Sequence, residues 1–377
     1  MIFNIGLYFH IPFCQKKCPY CHFYVAKNSE ADKDILLQAL QLEWKSKLHH
    51  VQGKRVSSIY FGGGTPTLFG IERLRILLKG IRKEITPNTD IEITMEANPE
   101  SLTRDYLRSL RHMGINRLSV GVQSLDSNLL HMLGRNHTVQ SIEKVLLVAR
   151  EVGFHNISID IMYEIPKQTW ESWEKTVQQA LYLPITHISL YNLTFEKGTP
   201  FYRKYEHLKT YLPSQEEGAK MLQYAVATWE AAGFKRYEIS AFAREEKYRS
   251  QHNLGYWTGK LFLGLGPSAF GYINGERMQN TFPLKRYAEA LLQGKEPIQF
   301  REKLEYPHNM RELLAIHLRI LEGVPLDKFD ENYRLDEETK LVIHSLIKLG
   351  WLQQIDRSLR LTDVGMLFYD SIAVQII

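Results

Sequence analysis

The chain is nearly without cysteine. Among its 377 residues only Cys14, Cys18 and Cys21 occur, and unpaired thiols of this kind suit a reducing compartment. Long apolar runs are missing as well: no stretch reaches the ~18 uninterrupted apolar residues that a membrane span requires. The first dozen residues carry neither a basic flank nor a small-residue cleavage site, so no secretory leader is read there. These absences lead to the expectation of a cytosolic protein without a transmembrane segment, with peripheral membrane contact left open. Charge of one sign is lacking too, since 47 basic residues face 42 acidic ones for a net +5. That surplus is too mild and too dispersed to define a partner. A composition of 44% hydrophobic and 24% charged residues is that of a globular chain long enough for one large domain and a smaller one.

What cysteine there is sits together. Cys14-Gln-Lys-Lys-Cys18-Pro-Tyr-Cys21 forms a C-x3-C-x2-C loop directly after the apolar run Ile5 to Phe9. Thiolates so spaced can converge on one inorganic centre, and three of them leave a [4Fe-4S] cluster with one iron lacking a protein ligand. Two other readings compete. His10 or His22 would complete a Cys3His zinc site, and Cys18-Pro-Tyr-Cys21 alone has the spacing of a dithiol redox site. Neither explains all three cysteines together with the Gly62-Gly63-Gly64-Thr65-Pro66 run one strand later. That run lets backbone approach a ligand closely, but no Gly-Lys-Ser/Thr follows it, which argues against a phosphate loop.

Short β-rich runs recur at Ile5 to Phe9, Ser57 to Phe61, Asp90 to Glu96, Arg117 to Val122, Asn156 to Met162 and His187 to Asn192. Helical patterns lie between them: Ile71, Leu74, Leu77, Leu78, Ile81 and Ile85 share one face, as do Val139, Ile142, Val145, Leu146, Ala149 and Val152. Gly114, Gly153 and Gly233 each stand where a helix stops. Another helix is expected from about Ser214 to Ala232, opening on Ser214 and Glu217 in capping-box spacing. The alternation predicts an α/β fold with a parallel sheet, either open and doubly wound or closed partly or fully into a barrel. The cysteine loop, the glycine run, Glu96, Gln123, Asp160 and Asn192 all fall at or near strand ends. Such a coincidence favours one site over the carboxyl edge of the sheet. From about residue 305 the order becomes helix, helix (Asp336 to Leu349), hairpin (Trp351 to Leu361, turning at Asp356-Arg357-Ser358) and helix, which is winged-helix-like. Asp336, Glu337 and Glu338 against Lys340 and Lys348 disfavour nucleic-acid binding by that unit.

Taken together, the motifs resemble the radical S-adenosylmethionine (SAM) superfamily and, within it, the coproporphyrinogen dehydrogenase and heme chaperone HemW family. The match rests on Leu7-Tyr8-Phe9-His10-Ile11-Pro12-Phe13-Cys14, on Tyr60-Phe61-Gly62-Gly63-Gly64-Thr65-Pro66, on Glu96-Ala97-Asn98-Pro99 and on Ser119-Val120-Gly121-Val122-Gln123-Ser124. It continues through Asp160-Ile161-Met162-Tyr163-Glu164-Ile165-Pro166 and His252-Asn253-Leu254-Gly255-Tyr256-Trp257. The resemblance implies a partial (β/α)6 TIM-like barrel with a small C-terminal winged-helix-like α+β domain. The expected division is a barrel core over 1–235, an extension over 236–304 that carries the HNxxYW motif and packs on the barrel, and the C-terminal domain over 305–377. It also implies a [4Fe-4S] cluster on Cys14, Cys18 and Cys21, whose open iron is chelated by the amino and carboxylate groups of SAM. Tyr8 and Tyr20 would lie against cluster and SAM, and the Gly63, Gly64 and Thr65 backbone would meet the methionine amino group. Glu96, Gln123, Arg135 and Asp160 would complete the polar shell.

Two activities compete within the family. A dehydrogenase, the oxygen-independent coproporphyrinogen III oxidase, turns propionates into vinyl groups by radical decarboxylation. A chaperone binds heme and passes it to an acceptor protein. The dehydrogenase resembles this chain with a longer segment before the first strand and a further cysteine two residues past the third. Here the first strand is expected almost at Met1, and the position is Phe23. The His252 motif resembles the HNxxYW element associated with heme in the chaperones, which makes His252 a candidate heme ligand. These features favour the chaperone, with SAM cleavage left open. A radical SAM enzyme acting on another substrate is the third reading. His22 departs from the acidic residue expected after the third cysteine.

Overall fold

The computed structural model describes residues 4–85, 90–326 and 335–377; Met1 lies outside them. Six parallel strands form the centre: β1 (Asn4–Ile11), β2 (Arg55–Gly63), β3 (Glu92–Ala97), β4 (Arg117–Gln123), β5 (Asn156–Tyr163) and β6 (His187–Asn192), neighbours in that order. Between them run α1 (Glu30–Lys47), α2 (Ile71–Glu84), α3 (Arg104–His112), α4 (Ser127–Met132), α5 (Val139–Glu151) and α6 (Trp170–Ala180). After β6 come the short helices α7 (Pro200–Arg203) and α8 (Tyr205–Leu208), then α9 (Gln215–Ala231). Ser214 and Glu217 close the expected capping box on α9. The six predicted strands are all present.

The barrel is open. β6 is extended by the antiparallel strands β7 (Lys235–Glu238) and β8 (Ala241–Ala243), while β1 pairs in parallel with β9 (Leu261–Leu265). Past β9 the sheet continues through β10 (Phe270–Ile273), β11 (Glu276–Asn280) and β12 (Ile298–Lys303), giving twelve strands in one sheet. Residues 235–303 are thus continuous with both edges of the barrel sheet. Between β8 and β9 lies α10 (Gln251–Trp257), and between β11 and β12 lies α11 (Leu284–Leu292). Glu43 of α1 locks this part in place. Its buried carboxylate accepts from Lys47 Nζ at 2.6 Å, Asn280 Nδ2 at 2.7 Å, Tyr287 Oη at 2.5 Å and the Gly266 amide at 2.8 Å.

Strand alternation explains which way the barrel faces. Ile5, Leu7 and Phe9 on β1, Ile59 and Phe61 on β2, Leu118 and Val120 on β4, and Ile157, Ile159 and Ile161 on β5 belong to one buried apolar core. Leu74, Leu77, Leu78 and Ile81 of α2 and Ile142, Val145, Leu146 and Ala149 of α5 join that core. The alternate positions carry polar groups: Tyr8 and His10, Ser58 and Tyr60, Thr94 and Glu96, Ser119, Ser158 and Asp160, His187 and Ser189. A closed TIM barrel fills its interior with branched apolar side chains. This interior is polar, which suits a ligand chamber.

The C-terminal unit has its own apolar core around Leu314, Leu318, Leu346, Leu352, Leu359 and Ile372. It comprises α12 (His308–His317), β13 (Val324–Pro325), α13 (Glu337–Lys348), the hairpin β14 (Leu352–Ile355) and β15 (Ser358–Leu361), and α14 (Asp363–Leu367) with α15 (Tyr369–Ile376). The three strands form a separate small sheet. Asp356, with φ 54°, makes the hairpin turn. The expected order is observed, with β13 added to the hairpin.

Candidate cofactor site at the strand ends

The cysteine loop leaves β1 and crosses the carboxyl edge of the sheet, where the glycine run ends β2. The two are fastened by backbone: Gly64 N–H donates to Ile11 O at 2.9 Å and Thr65 N–H to Phe13 O at 2.6 Å. A side chain at position 64 would place its Cβ 2.6 Å from Phe13 O, and one at 63 would strike the His10 ring at a φ of 112°. Glycine is therefore imposed at both positions by close approach. The Gly63 amide is itself spent on Glu96 Oε2 at 3.1 Å. All three amides are thus used internally, which leaves none of them to bind an anion here.

Cys14 and Cys18 are linked through side chains. Thr65 Oγ1 lies 3.8 Å from Cys14 Sγ and accepts from Asn98 Nδ2 at 3.0 Å. Arg135 reaches Asn98 Oδ1 at 2.5 Å, Gly121 O at 2.8 Å and Cys18 Sγ at 3.5 Å, and its buried Nε has no partner among the described residues. Tyr20 also bonds Cys18 and is held against Phe201, with ring centroids 6.3 Å apart. Burial pushes the Cys14 thiol up to about 11, with the Thr65 hydroxyl opposing, and raises Cys21 as well. Such thiols ionise only against a strong local positive charge, which a metal centre provides.

Among the described residues no set of three or more His, Cys, Asp or Glu is gathered tightly enough for a single metal ion. A structural zinc would need its thiolates together at about 2.3 Å from one centre. A [4Fe-4S] cluster spreads its thiolates over separate irons, and three cysteines on one loop match that donor set while leaving one iron without a protein ligand.

Carboxylates complete the chamber. Glu96 accepts from Tyr60 Oη at 2.8 Å, and burial pushes its carboxyl up to about 7, with the nearby Asp160 charge adding to the rise. Asp160 accepts from Ser119 Oγ at 3.3 Å and from Ser189; burial raises it to about 6. Gln123 sits at φ 70°, beside a register shift between β4 and β5. A non-glycine residue held there is a sparsely populated conformation of the kind that collects at ligand sites. Tyr8 lies beneath the edge, its hydroxyl 3.0 Å from His10 Nδ1 and its ring against Gly62 and Tyr60. Burial lowers His10 to about 4 and keeps it neutral. The structure thus brings Cys14, Cys18, Cys21, Tyr20, Gly63, Gly64, Thr65, Glu96, Gln123, Arg135 and Asp160 to one edge. Asn98 and Tyr60, each within a motif but not singled out as site residues, prove to be the connecting groups.

His252 is not at this edge but beneath it, against Tyr60. It packs beside Gly6 near the amino end of β1, roughly 16 Å down the strand from Ile11 at the usual rise per residue. Its Nδ1 pairs with Ser58 Oγ at 2.8 Å and its Nε2 with Tyr256 Oη at 2.7 Å, and its ring stacks on Tyr60 at 4.9 Å. The Gln251 and His252 amides both donate to Glu92 at 3.0 Å. Burial lowers the imidazole to about 3. Ligation by His252 would cost one of two short hydrogen bonds.

Comparison with known proteins identifies the family. Residues 8–180 match the radical SAM superfamily and residues 304–368 the HemN C-terminal domain, so the class defined by fold and site is that of radical SAM proteins. The chain is 34% identical over 363 residues to the heme chaperone HemW of Bacillus subtilis, covering 96% of each chain, and 31% identical to that of Escherichia coli, covering 98% and 97%. A solved structure of the coproporphyrinogen III oxidase HemN from Escherichia coli superposes with a TM-score of 0.87 at 25% identity, over 100% of this chain and 90% of that one. The chain belongs to the HemW and HemN family of radical SAM proteins.

Proposed function

We propose that this protein is a cytosolic heme chaperone that carries a [4Fe-4S] cluster on Cys14, Cys18 and Cys21 with an exchangeable SAM, and that passes heme to an acceptor protein. The observation that carries the cofactor reading is the side-chain path from Cys14 through Thr65, Asn98 and Arg135 to Cys18, built beside two carboxyls whose ionisation is held back by burial. When bound, the cluster and SAM would supply electron transfer and radical chemistry. The protein's own part is to hold and shield them. Arg135 would face the carboxylate of SAM as well as Cys18, while Glu96 and Asp160 would accept from its amino and ribose hydroxyl groups. The division into core, HNxxYW extension and C-terminal domain belongs to this proposal. No helix among the described residues is long and apolar enough to cross a membrane.

The chaperone reading is favoured over the oxidase by Phe23 and by the names of relatives matched over nearly the whole chain. To test it, the cluster is reconstituted anaerobically and heme binding is measured beside SAM-dependent decarboxylation of coproporphyrinogen III. Heme binding without decarboxylation is the expected result; robust protoporphyrinogen formation would sink it in favour of the oxidase.

A further inference from the structure

The proposed function requires a place for a macrocycle, and the structure offers one away from His252. The ends of β5 and β6, the helices α7 and α8 and the segment before α9 enclose a cavity of about 850 Å³. That lies within the usual span of small-molecule sites, about 300–1,000 Å³. It opens on the same carboxyl edge as the cysteine loop. Its walls include Phe195, Tyr202 and Tyr205, and the two tyrosines stay 42% and 40% exposed. Exposed aromatic rings in a concave site suit a flat conjugated ligand, and Tyr202 is the freer of the two, since Lys209 Nζ lies over the Tyr205 ring at 5.7 Å.

The charges at the rim are also arranged for such a ligand. Arg203 lines the cavity and forms no ion pair among the described residues, whereas Glu206 is already paired with Lys209 at 2.5 Å. Glu164, at the floor, is bonded by Asn192, and burial raises its pKa. A carboxylate entering here would find a free guanidinium and little opposing charge.

The cavity is joined to the cysteine loop by α7. Phe201 N–H donates to Pro19 O at 3.0 Å, so the helix is docked on the loop between Cys18 and Cys21. Rings continue the connection: Tyr20 to Phe201 at 6.3 Å, Phe201 to Phe195 at 6.0 Å and Phe195 to Tyr205 at 5.1 Å.

We infer that the cavity between α7, α8 and the ends of β5 and β6 binds a flat, carboxylate-bearing macrocycle of the porphyrin class, with Tyr202 and Tyr205 against its face and Arg203 on a propionate. This rests on the heme-binding reading above and adds its location. It places the macrocycle at the ends of β5 and β6, whereas the HNxxYW helix packs beneath Tyr60 at β1 and β2.

The test titrates hemin into the cluster-reconstituted full chain and follows the Soret band. The double variant Tyr202→Ala/Tyr205→Ala is expected to lose at least about tenfold in affinity, and the surface variant Arg203→Glu about three- to tenfold. The Arg203→Glu loss should vanish when hemin dimethyl ester replaces hemin. Iron-sulfur absorbance and melting temperature monitor the fold. Hemin affinity unchanged in both variants, with binding intact in the unaltered protein, would overturn the site while leaving the chaperone reading standing. Absence of hemin binding to the unaltered protein would overturn both. If the double variant fails to fold, the Arg203→Glu comparison of acid and ester decides the matter.

Discussion

The cysteine edge and the HNxxYW helix are both built around residues able to ligate metal, yet they are finished to different degrees. At α10 both ring nitrogens of His252 are paired at 2.7 to 2.8 Å and Glu92 takes two amides of the helix start, although Trp257 Nε1 has no hydrogen-bond partner among the described residues. At the cysteine edge the sulfur contacts are long, Arg135 Nε has no partner among the described residues, and two carboxyls resist ionisation. Buried polar groups are normally satisfied. The difference therefore teaches which ring is satisfied by the protein alone and which edge is shaped for something brought in. Residue type alone, an imidazole in one place and thiols in the other, does not draw that distinction.

The strongest way to break the comparison is at the thiols. Cys14→Ser, Cys18→Ser and Cys21→Ser should each abolish the iron-sulfur absorbance and bound iron of the anaerobically reconstituted protein. An intact cluster in all three would refute the cofactor reading altogether. Next, His252→Ala leaves Ser58 and Tyr256 unpaired inside the barrel and opens a cavity, so it should lower unfolding free energy by about 2–4 kcal/mol in chemical denaturation. Should heme affinity collapse in that variant without any loss of stability, the helix would be more than framework. Arg135→Leu is expected to weaken SAM binding at least tenfold, about 1.4 kcal/mol, while iron content stays near that of the parent; calorimetric titration reads this directly.

The smallest effect is on pH dependence. Glu96 and Asp160 have folded pKa values raised from 4.5 and 3.8 to about 7 and about 6. Between the unfolded and folded values the native state holds protons that the unfolded chain has released, so stability falls as pH rises from about 4 to about 7 and then levels. Glu96→Gln should flatten that slope in denaturation curves recorded across the window. A slope identical to the parent's would show that Glu96 does not titrate there.

Much of this was legible beforehand. The six β-rich runs, the two apolar helix stripes, the α9 capping box and the hairpin at Asp356 all carry local signals that the packing respects. The flanking strands β8 to β12 did not announce themselves; Glu276–Asn280 and the edge strand Ile298–Lys303, for instance, are polar and lack apolar alternation. Whether the barrel closes is decided by those strands, not by the periodicity of the first six. Asn98 and Tyr60 escaped notice for a different reason: their roles are set by who faces them across the chamber. A signal was available for Tyr60, since alternation along β2 puts it on the same face as Ser58 and Gly62.

The pairing of β1 with β9 has a consequence in time. Ile5 to Phe9 find their second neighbour only in Leu261 to Leu265, so during synthesis one edge of the strand that carries the cysteine loop waits for some 255 further residues, roughly 10–50 s at ordinary translation rates. Until then the loop hangs from a half-paired strand. The edge of the sheet beside the cysteine loop is therefore completed only after most of the chain has been made.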